Sequence, residues 1–498
     1  MTGTIAGLGA FLPHPPLTFG PVAPELILVG VALSILLLEA FIPRFPAGAV
    51  AGIALVGLAG AAGAAVWGWS WSGPPVVLGG MVSTDHYAEF FRLVLIAIAA
   101  VAVLLSHVYL QRSGEYRAEY FVLLLLATAG MTLLAASADL LLVFISLELL
   151  SLSLYLLTGF SVRRVASSEA SMKYFLLGAF SSAFFLYGVA FAYGASGTTS
   201  LAGIAVRVSQ GHTTLALIAT GLLLVGFSFK IAVVPFHMWT PDAYQGAPTS
   251  VTAFMAAGTK VAAFAALLRV LTVGFSGVSV DWRPVVAVLA GVTMVVGSLL
   301  AIAQSDVKRM LAYSSIANAG FILVGVSAGT PAGTQAAMFY LATYAALILG
   351  AFGVVVLVSE RGERHTSLAS YRGLSRRSPW LAAALALFLL SAAGIPPAAG
   401  FMAKVLVFEA AIKAGEWPLV LVAVLASVVA AFFYLRVIAL MYMREADDPT
   451  RVAPSPVAGF ALAVLAALTL LFGILPGVLL SALHGGTSAL LALPKGVP

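Results

Sequence analysis

The stretch FKIAVVPFHMW, Phe229 to Trp239, decides the fold that we predict for this chain. It places Lys230 inside an apolar run and follows it with Pro235, which lacks an N–H and clashes with the carbonyl of Ile231, so that the helix must break. The stretch GIPPAAGFMAK, Gly394 to Lys404, repeats the combination of a proline break and a lysine. Broken helices beside ionisable groups are how ion paths are usually built through membranes.

The composition predicts a membrane protein. The chain of 498 residues is 61% hydrophobic and 9% charged, with a mean hydropathy of +1.07. A soluble domain could not bury that much apolar surface. We therefore predict an all-α polytopic membrane protein.

The residue types argue against a cofactor in this chain. With no cysteine, it has no thiolate-ligated iron–sulfur cluster, disulfide or Cys-based zinc site. We find no nucleotide-binding motif and no His or carboxylate cluster with metal-ligand spacing. Any redox chemistry is expected elsewhere.

Apolar runs long enough to cross a bilayer number about fourteen. Their approximate bounds are 23–42, 48–69, 89–110, 119–137, 139–160, 168–193, 214–240, 248–273, 283–303, 309–328, 333–359, 379–413, 417–443 and 456–481.

Basic residues in the connecting segments predict the orientation. With the N-terminus outside, the cytoplasmic segments hold Arg44, Arg112, Arg117, Arg163, Arg164, Lys308, Arg309, Arg361, Arg364, Arg372, Arg376, Arg377, Arg444 and Arg451. The opposite side holds only Arg207, Arg283, Lys413 and Lys495. The positive-inside rule therefore predicts both termini on the non-cytoplasmic side. The first segment has no Lys or Arg before its apolar run, so we do not expect a cleavable signal peptide. The net charge of +6 needs no nucleic-acid partner.

The two broken spans predict an internal repeat. Lys230 falls in the seventh span and Lys404 in the twelfth, five spans apart, and because five is odd the repeat must be inverted. We expect a three-helix segment in 1–115, a first five-helix repeat (spans 4–8) in 116–275, a second (spans 9–13) in 276–445, and the fourteenth helix in 446–498. The polar, basic loop Glu360 to Ser378 could dock a neighbouring protein as well as set the orientation.

Ionisable residues within the spans are the candidate site, because a lysine at mid-bilayer depth costs roughly 3 kcal/mol. Lys230 lies beside its helix break, with His237 two residues after the proline. Lys404 lies one turn into its second half-helix, whose N-terminal dipole would favour the neutral amine. Glu148, in the middle of the fifth span, needs a nearby cation to stay charged, and Lys230 or Lys173 is the natural partner. Simpler alternatives remain open, namely a snorkelling lysine and a protonated structural Glu148.

Three further cations lie inside apolar runs. Lys260 follows Gly258 and Thr259, small residues that let helices approach closely, and could extend a proton relay from Lys230. Lys173 lies in the sixth span. Arg92 is near the start of its span with Glu89 one turn earlier, so we expect a snorkelling ion pair there.

Four stretches resemble a known family. They are SSEASMKYFLLGAFSSAFFLYG around Lys173, FKIAVVPFHMWTPDAYQGAPTSVTAFMAAGTK from Phe229 to Lys260, AIAQSDVKRMLAYSSIANAGF from Ala301, and SAAGIPPAAGFMAKVLVFEA around Lys404. They are similar to the antiporter-like membrane subunits of bacterial NADH:quinone oxidoreductase, respiratory complex I, and within these to subunit N more than to L and M. The resemblance covers nearly the whole chain.

The resemblance implies a proton-translocating subunit of fourteen helices in the membrane arm, located in the bacterial inner membrane. It implies that Glu148 and Lys230 form a charge pair, Lys260 is the central relay lysine and Lys404 the exit-side lysine, while Lys173 also matches a family lysine. Asn318 stands where many relatives carry a His. The complex would hold NADH, flavin, iron–sulfur clusters and quinone in other subunits. The partners implied are the other membrane-arm subunits, including the related subunit M and small membrane subunits, and the lipid bilayer.

Two other classes of function stay open. One is a subunit of a multi-subunit cation/proton antiporter, which needs no electron source. The other is a membrane scaffold in which the lysines no longer move protons, so that Lys230 and Lys404 would tolerate substitution by Met.

Overall fold

The computed structural model describes residues 18–42, 46–211, 213–359, 363, 365–446, 452–453 and 455–491. Several residues used above lie outside these ranges, namely the N-terminal segment 1–17, Glu360 and the basic residues Arg44, Arg361, Arg364, Arg451 and Lys495.

Helices make up almost all of the described chain. They are α1 (Ala23–Phe41), α2 (Ala47–Trp69), α3 (His86–Ser113), α4 (Glu119–Ala136), α5 (Leu140–Thr158), α6 (Val165–Ser196), α7 (Leu201–Ser209), α8 (Thr213–Ile231), α9 (Trp239–Gly246), α10 (Thr249–Phe254), α11 (Lys260–Arg269), α12 (Ser279–Ile302), α13 (Val307–Ser327), α14 (Pro331–Val358), α15 (Leu374–Arg377), α16 (Pro379–Ala393), α17 (Ala399–Lys413), α18 (Trp417–Met443), α19 (Pro456–Ile474) and α20 (Pro476–Leu491). Two π-helical segments, Met255–Thr259 and Val270–Gly274, join α10 to α11 and extend α11. Short 3₁₀ helices cover Gly20–Val22, Ser276–Val278 and Leu368–Tyr371. A small antiparallel hairpin pairs β1 (Val76–Val77) with β2 (Val82–Ser83).

The predicted number of spans is confirmed. Thirteen helical segments within the described ranges are long and apolar enough to cross a membrane. The remaining span is the pair α16 and α17, each of 15 residues and each too short to cross alone. Together they form the broken twelfth span that the prolines predicted.

Both predicted helix breaks are present. α8 ends at Ile231, Ala232 takes a left-handed φ of 62°, and helix resumes at Trp239. α16 ends before Gly394, at φ 85°, and helix resumes at Ala399. Each break therefore leaves a short non-helical segment next to a lysine, which is tolerated at membrane depth only where protein or water surrounds it.

A repeated contact supports the inverted repeat. Asp139, which caps α5, bridges to Ser200 after α6, and Asp306, which caps α13, bridges to Ser367 after α14. These two Asp–Ser bridges lie at corresponding places in spans 4–8 and 9–13. Since five spans separate them, they lie at opposite ends of the helix bundle.

The helices that carry the central candidates are the most enclosed. In the eighth span, Thr249–Gly274, all residues of the most apolar part are buried, and nearly all are in α13 and α14. In α6, α18 and α19 only about a third of the corresponding residues are buried. The centre of the bundle therefore contains Lys260 and the helices that contact it.

One expectation about a cation is wrong, and a second cation is more deeply buried than its place beside a loop suggested. Lys308, counted among the orienting loop residues, is fully buried and paired with Glu363 at 2.5 Å. Arg92 does contact Glu89 at 2.5 Å, as expected, but it does not snorkel, because its side chain is fully buried. These two cations each contact a carboxylate from another part of the fold, Glu363 for Lys308 and Glu25 for Arg92, and sequence spacing could not show those partners.

Candidate functional site

Lys230 sits in a cage of aromatic rings at the end of α8. It is 4% exposed, and its Nζ lies 5.2 Å from the ring centre of Tyr155, 5.3 Å from that of Tyr174 and 5.6 Å from that of Phe229. Nζ also donates to the Tyr155 hydroxyl at 3.4 Å. Trp239, the first residue after the break, stacks on Tyr174. Ring faces attract a cation without neutralising it, so this lysine is stabilised by a weaker contact than an ion pair.

Glu148 does not form the expected ion pair. It is half-buried on α5 and accepts a hydrogen bond from Ser182 of α6 at 2.5 Å. Neither Lys230 nor Lys173 pairs with it among the described residues. Tyr155 lies seven residues further along α5, on the same helix face as Glu148, and that tyrosine contacts Lys230. Glu148 and Lys230 therefore make no direct salt bridge, although their charges are close enough to interact.

Lys173 lies in a different electrostatic setting from the other candidate lysines. Its side chain is 44% exposed and pairs with Glu169 at 2.7 Å and Asp242 at 2.8 Å. Asp242 also pairs with Arg309 at 2.6 Å. Burial alone would raise the pKa of Asp242, but the hydrogen bonds and charges of Lys173 and Arg309 outweigh it and hold this pKa below its ordinary value.

An open cavity of about 260 Å³ adjoins this charged cluster, and Lys173, Asp242 and Glu363 help to line it. Tyr174 of the Lys230 cage follows Lys173 directly in α6. Lys173 therefore lies at the open cavity, next to the aromatic cage around Lys230 but outside that cage.

Lys260 is enclosed at the centre of the bundle. It is 2% exposed, follows directly on the first π-helical segment, and donates from Nζ to the backbone carbonyl of Ser315 on α13. The ring of Tyr344 lies 5.5 Å from Nζ, and its hydroxyl donates to the Ser315 side chain at 2.8 Å. A π-helical turn changes which side chains face a neighbouring helix, and such turns are frequent at functional sites.

Asn318 continues the polar surface of α13 by one turn. Its amide nitrogen donates to the Ser314 carbonyl at 2.8 Å and its amide oxygen accepts from the Tyr340 hydroxyl at 2.8 Å. The Tyr434 hydroxyl bonds to the Ser314 hydroxyl and lies 3.5 Å from the Asn318 nitrogen. An amide does not titrate in the physiological range, so Asn318 can donate and accept hydrogen bonds, including to water, but cannot itself carry a proton.

Lys404 reaches back across its own helix break. It is 5% exposed, and Nζ donates to the carbonyl of Ala393, the last residue of α16, at 2.9 Å and to Ser427 of α18 at 2.7 Å. The ring of Phe321 lies 4.6 Å away. We expected the N-terminal dipole of α17 to act on this lysine, but the amine contacts the carboxyl end of α16, where the dipole favours a cation.

His237 lies in the first break and is half-buried, and its Nδ1 is a buried nitrogen without a hydrogen-bond partner. None of its described contacts joins it to Lys230. The structure therefore brings Lys260, Asn318 and Lys404 together along α13, leaves Lys230 and Lys173 on the α6 side, and leaves His237 apart. We call Lys230, Lys260 and Lys404 the lysine line.

Sequence reasoning missed the groups that contact the lysine line, chiefly Tyr155, Ser315, Tyr344 and Ser427. Serines and tyrosines are ordinary in membrane helices, so no spacing signal distinguishes these from their neighbours. Among the described residues there is no group of three or more His, Asp or Glu side chains that could hold a metal ion.

Comparison with known proteins defines the class. Residues 137–430, which contain Glu148 and the lysine line, match the membrane family described as NADH:quinone oxidoreductase/Mrp antiporter. The chain is similar in fold to a chain of the Mrp complex from Dietzia, with a TM-score of 0.85 over 95% of this chain and 98% of that chain, at 24% identity.

The particular subunit follows from closer relatives. NADH-quinone oxidoreductase subunit N of Trichlorobacter lovleyi is 44% identical over 92% of this chain and 95% of its own length. A chain of respiratory complex I from Thermus thermophilus is 39% identical, with a TM-score of 0.80 over 93% of this chain and 100% of that chain. The chain belongs to the subunit N family of NADH-quinone oxidoreductase.

Proposed function

We propose that this chain translocates protons in the membrane arm of an NADH:quinone oxidoreductase, through Glu148, Lys230, Lys260 and Lys404. The observation that carries the proposal is that each lysine of the line is buried and contacts rings, carbonyls and hydroxyls, while no carboxylate pairs with it among the described residues. A lysine so placed can exist as either ammonium or neutral amine, which proton transfer requires.

Helix α13 supplies the connection between two of these lysines. Lys260 bonds to Ser315, Asn318 follows about one turn later, and Phe321, which Lys404 faces, comes one turn after that. The hydroxyls of Tyr340, Tyr344 and Tyr434 converge on the same face. A chain of hydroxyls and enclosed water along this face can carry a proton between Lys260 and Lys404 without a titrating histidine.

Lys173 serves in this proposal as an entry-side group and not as a buried relay. Its partner Asp242 is held ionised by Lys173 and Arg309, so Lys173 lies in a charged cluster at the exposed cavity, next to the Lys230 cage. His237 has no place on the path in this proposal.

The same proposal defines the partners and the location of the chain. NADH, flavin, iron–sulfur clusters and quinone belong to other subunits, and the neighbours include the related subunit M and small membrane subunits. The chain lies in the bacterial inner membrane with both termini on the non-cytoplasmic side. The domain division at about residues 115, 275 and 445 keeps each Asp–Ser bridge within one repeat.

A cation/proton antiporter is the second candidate, favoured by the shared fold with the Mrp chain. Sequence identity separates the two, since the complex I chain is 39% identical and the Mrp chain 24%. The two candidates differ in energy source, because only the first couples proton movement to electron transfer.

Substitution of Lys230 tests the proposal. In the assembled complex in sealed membranes, Lys230→Met should lower proton translocation driven by NADH oxidation by about tenfold or more, because Met cannot carry a proton. Lys413→Met is the matched control, since that lysine is exposed and its ion pair among the described residues is with Glu409, one turn away. Unchanged proton translocation in an assembled Lys230→Met complex would contradict this proposal and favour the scaffold function.

A further inference from the structure

A second group of buried charges lies where α1, α3 and α11 meet, and it shares no residue with the lysine line. It comprises Glu25 on α1, Asp85 at the start of α3, Glu89 and Arg92 on α3, and Arg269 at the end of α11. Arg92 and Arg269 are fully buried, and Glu89 is 1% exposed. Charges so enclosed must be compensated within the protein.

The hydrogen bonds divide unevenly among the three carboxyl groups. Arg269 binds both oxygens of Asp85, at 2.6 and 2.8 Å. Arg92 binds both oxygens of Glu25, at 2.9 and 3.3 Å, but only one oxygen of Glu89, at 2.5 Å. The other oxygen of Glu89, Oε2, is buried without a hydrogen-bond partner. Glu89 is therefore the carboxyl group whose negative charge is least compensated.

The charges do not balance if all five groups are ionised. Arginine keeps its proton in proteins, so two guanidiniums face three carboxyl groups. One unpaired negative charge in a low-dielectric interior is costly, and a proton on a carboxylate removes that cost. We propose that Glu89 is a buried proton-binding site that carries a proton at Oε2 at neutral pH.

Among the described residues, no cation other than Arg92 pairs with Glu89. From α2 the facing residue is Gly68, where a Cβ would lie 2.8 Å from the Glu89 carboxyl carbon. His86 donates from Nε2 to the Trp69 carbonyl at 3.0 Å, and α20 places Gly485 against its ring. Tyr87 donates to the Ala265 carbonyl at 2.8 Å. The glycine at position 68 thus leaves room for the Glu89 carboxyl group, and among the described residues Arg92 is its one side-chain donor.

The position of the site connects it with the lysine line. Arg269 is the last residue of α11 and Lys260 the first. Departure of the proton from Glu89 adds a negative charge one turn from Asp85, which pairs with Arg269 at the end of the helix that begins with Lys260. Glu89 is thus a proton-binding group beyond the four residues of the proposed path.

Infrared spectroscopy of the intact complex tests the site. The spectrum of wild type minus that of Glu89→Gln should contain the C=O stretching band of one protonated carboxylic acid, shifted to lower frequency in D₂O. Glu445→Gln is the control, since that carboxylate is 89% exposed and pairs with exposed Arg376. Its difference spectrum should contain carboxylate bands and no such C=O band. Survival of the C=O band in Glu89→Gln would overturn the proposal.

A second variant keeps the test decisive if Glu89→Gln does not assemble. Glu25→Gln leaves two carboxyl groups for two guanidiniums, so Glu89 should ionise and the same C=O band should be lost. Persistence of the band in Glu25→Gln would count against the site. A frequency shift of the band in Glu25→Asp but not in Glu89→Asp would place the proton on Glu25 and equally refute the assignment.

Discussion

At the scale of single residues, the buried cations of this chain fall into two kinds. Lys308, Arg92 and Arg269 each contact a carboxylate, and all three lie near the ends of helices. The three members of the lysine line contact rings, carbonyls and hydroxyls instead. A carboxylate holds a cation in its charged form, so the first kind is suited to fixing helices and the second to releasing a proton.

Glu363 illustrates the first kind. It is 8% exposed and contacts Lys308 at 2.5 Å, Arg164 at 3.3 Å and the backbone N–H of Thr249 at 2.6 Å. Burial opposes its ionisation, but the charges of Lys308 and Arg164 outweigh burial, so the pKa of Glu363 lies below its ordinary value. A carboxylate with a lowered pKa stabilises the fold above its ordinary pKa, and the stabilisation is lost as the pH falls through the lowered value.

Glu363→Gln should therefore destabilise the contact between this loop and α10 by about 3–5 kcal/mol at neutral pH, because Lys308 is left buried without its carboxylate. Hydrogen exchange of the Thr249 amide region measures this, as the ratio of variant to wild-type rates at each pH. The ratio should be large at neutral pH and shrink in acid, where wild type loses the same charge.

The exposed pair of Glu445 and Arg376 provides the control for that experiment. Glu445→Gln should leave the exchange of the Thr249 region unchanged at every pH. A ratio for Glu363→Gln that stays constant from neutral to acidic pH would contradict a role for the Glu363 charge.

At the scale of elements, the two broken helices hold their lysines with different partners. The Ala393 carbonyl at the end of α16 accepts from Lys404, and Gly394 turns the chain away with its left-handed φ of 85°. Lys230 has no such carbonyl contact among its described hydrogen bonds and relies on Tyr155 and the rings around it. The two repeats thus use the same break with different partners for the lysine.

Gly394→Ala should impair proton translocation through Lys404. A Cβ at this position would lie 2.9 Å from Cδ and 3.2 Å from Nζ of Lys404, and the left-handed conformation adds a strain of about 1 kcal/mol or more. We expect a loss of translocation of several-fold in assembled complex, measured as proton uptake per NADH oxidised.

A glycine in open surroundings serves as the control. Gly459 lies in α19, and a Cβ there meets nothing within 4 Å. Gly459→Ala should leave translocation unchanged and slightly favour the helix. Equal translocation in Gly394→Ala and Gly459→Ala would show that the position of the Lys404 amine does not depend on this glycine.

At the scale of the whole molecule, contacts between distant segments gather at two ends of the bundle. Arg164, Thr249, Lys308 and Glu363 meet at one end, and Glu25, Asp85 and Arg269 at the other. Each group joins segments separated by an even number of spans, as it must if every span crosses once. These contacts therefore agree with fourteen spans that cross the membrane in alternating directions, with each broken helix counted as one crossing.

Thiol labelling measures the absolute orientation, because the chain has no cysteine of its own. Lys413→Cys and Glu445→Cys place exposed thiols at opposite ends of α18. A membrane-impermeant maleimide should label Lys413→Cys from the non-cytoplasmic side and Glu445→Cys from the cytoplasmic side, with wild-type complex as background. The reverse pattern would show that both termini are cytoplasmic.

The linear sequence by itself determined the membrane class, the fourteen spans, the two breaks and the burial of Lys230, Lys260 and Lys404. Hydropathy, proline geometry and the cost of a charge in a bilayer are local properties, so they can be read from neighbouring residues. Only the tertiary structure decided which groups meet these charges. Glu148 bonds to Ser182, Lys173 pairs with Asp242, and Lys308 is buried against Glu363. These partners come from helices distant in the chain, and packing alone sets which side chains face one another.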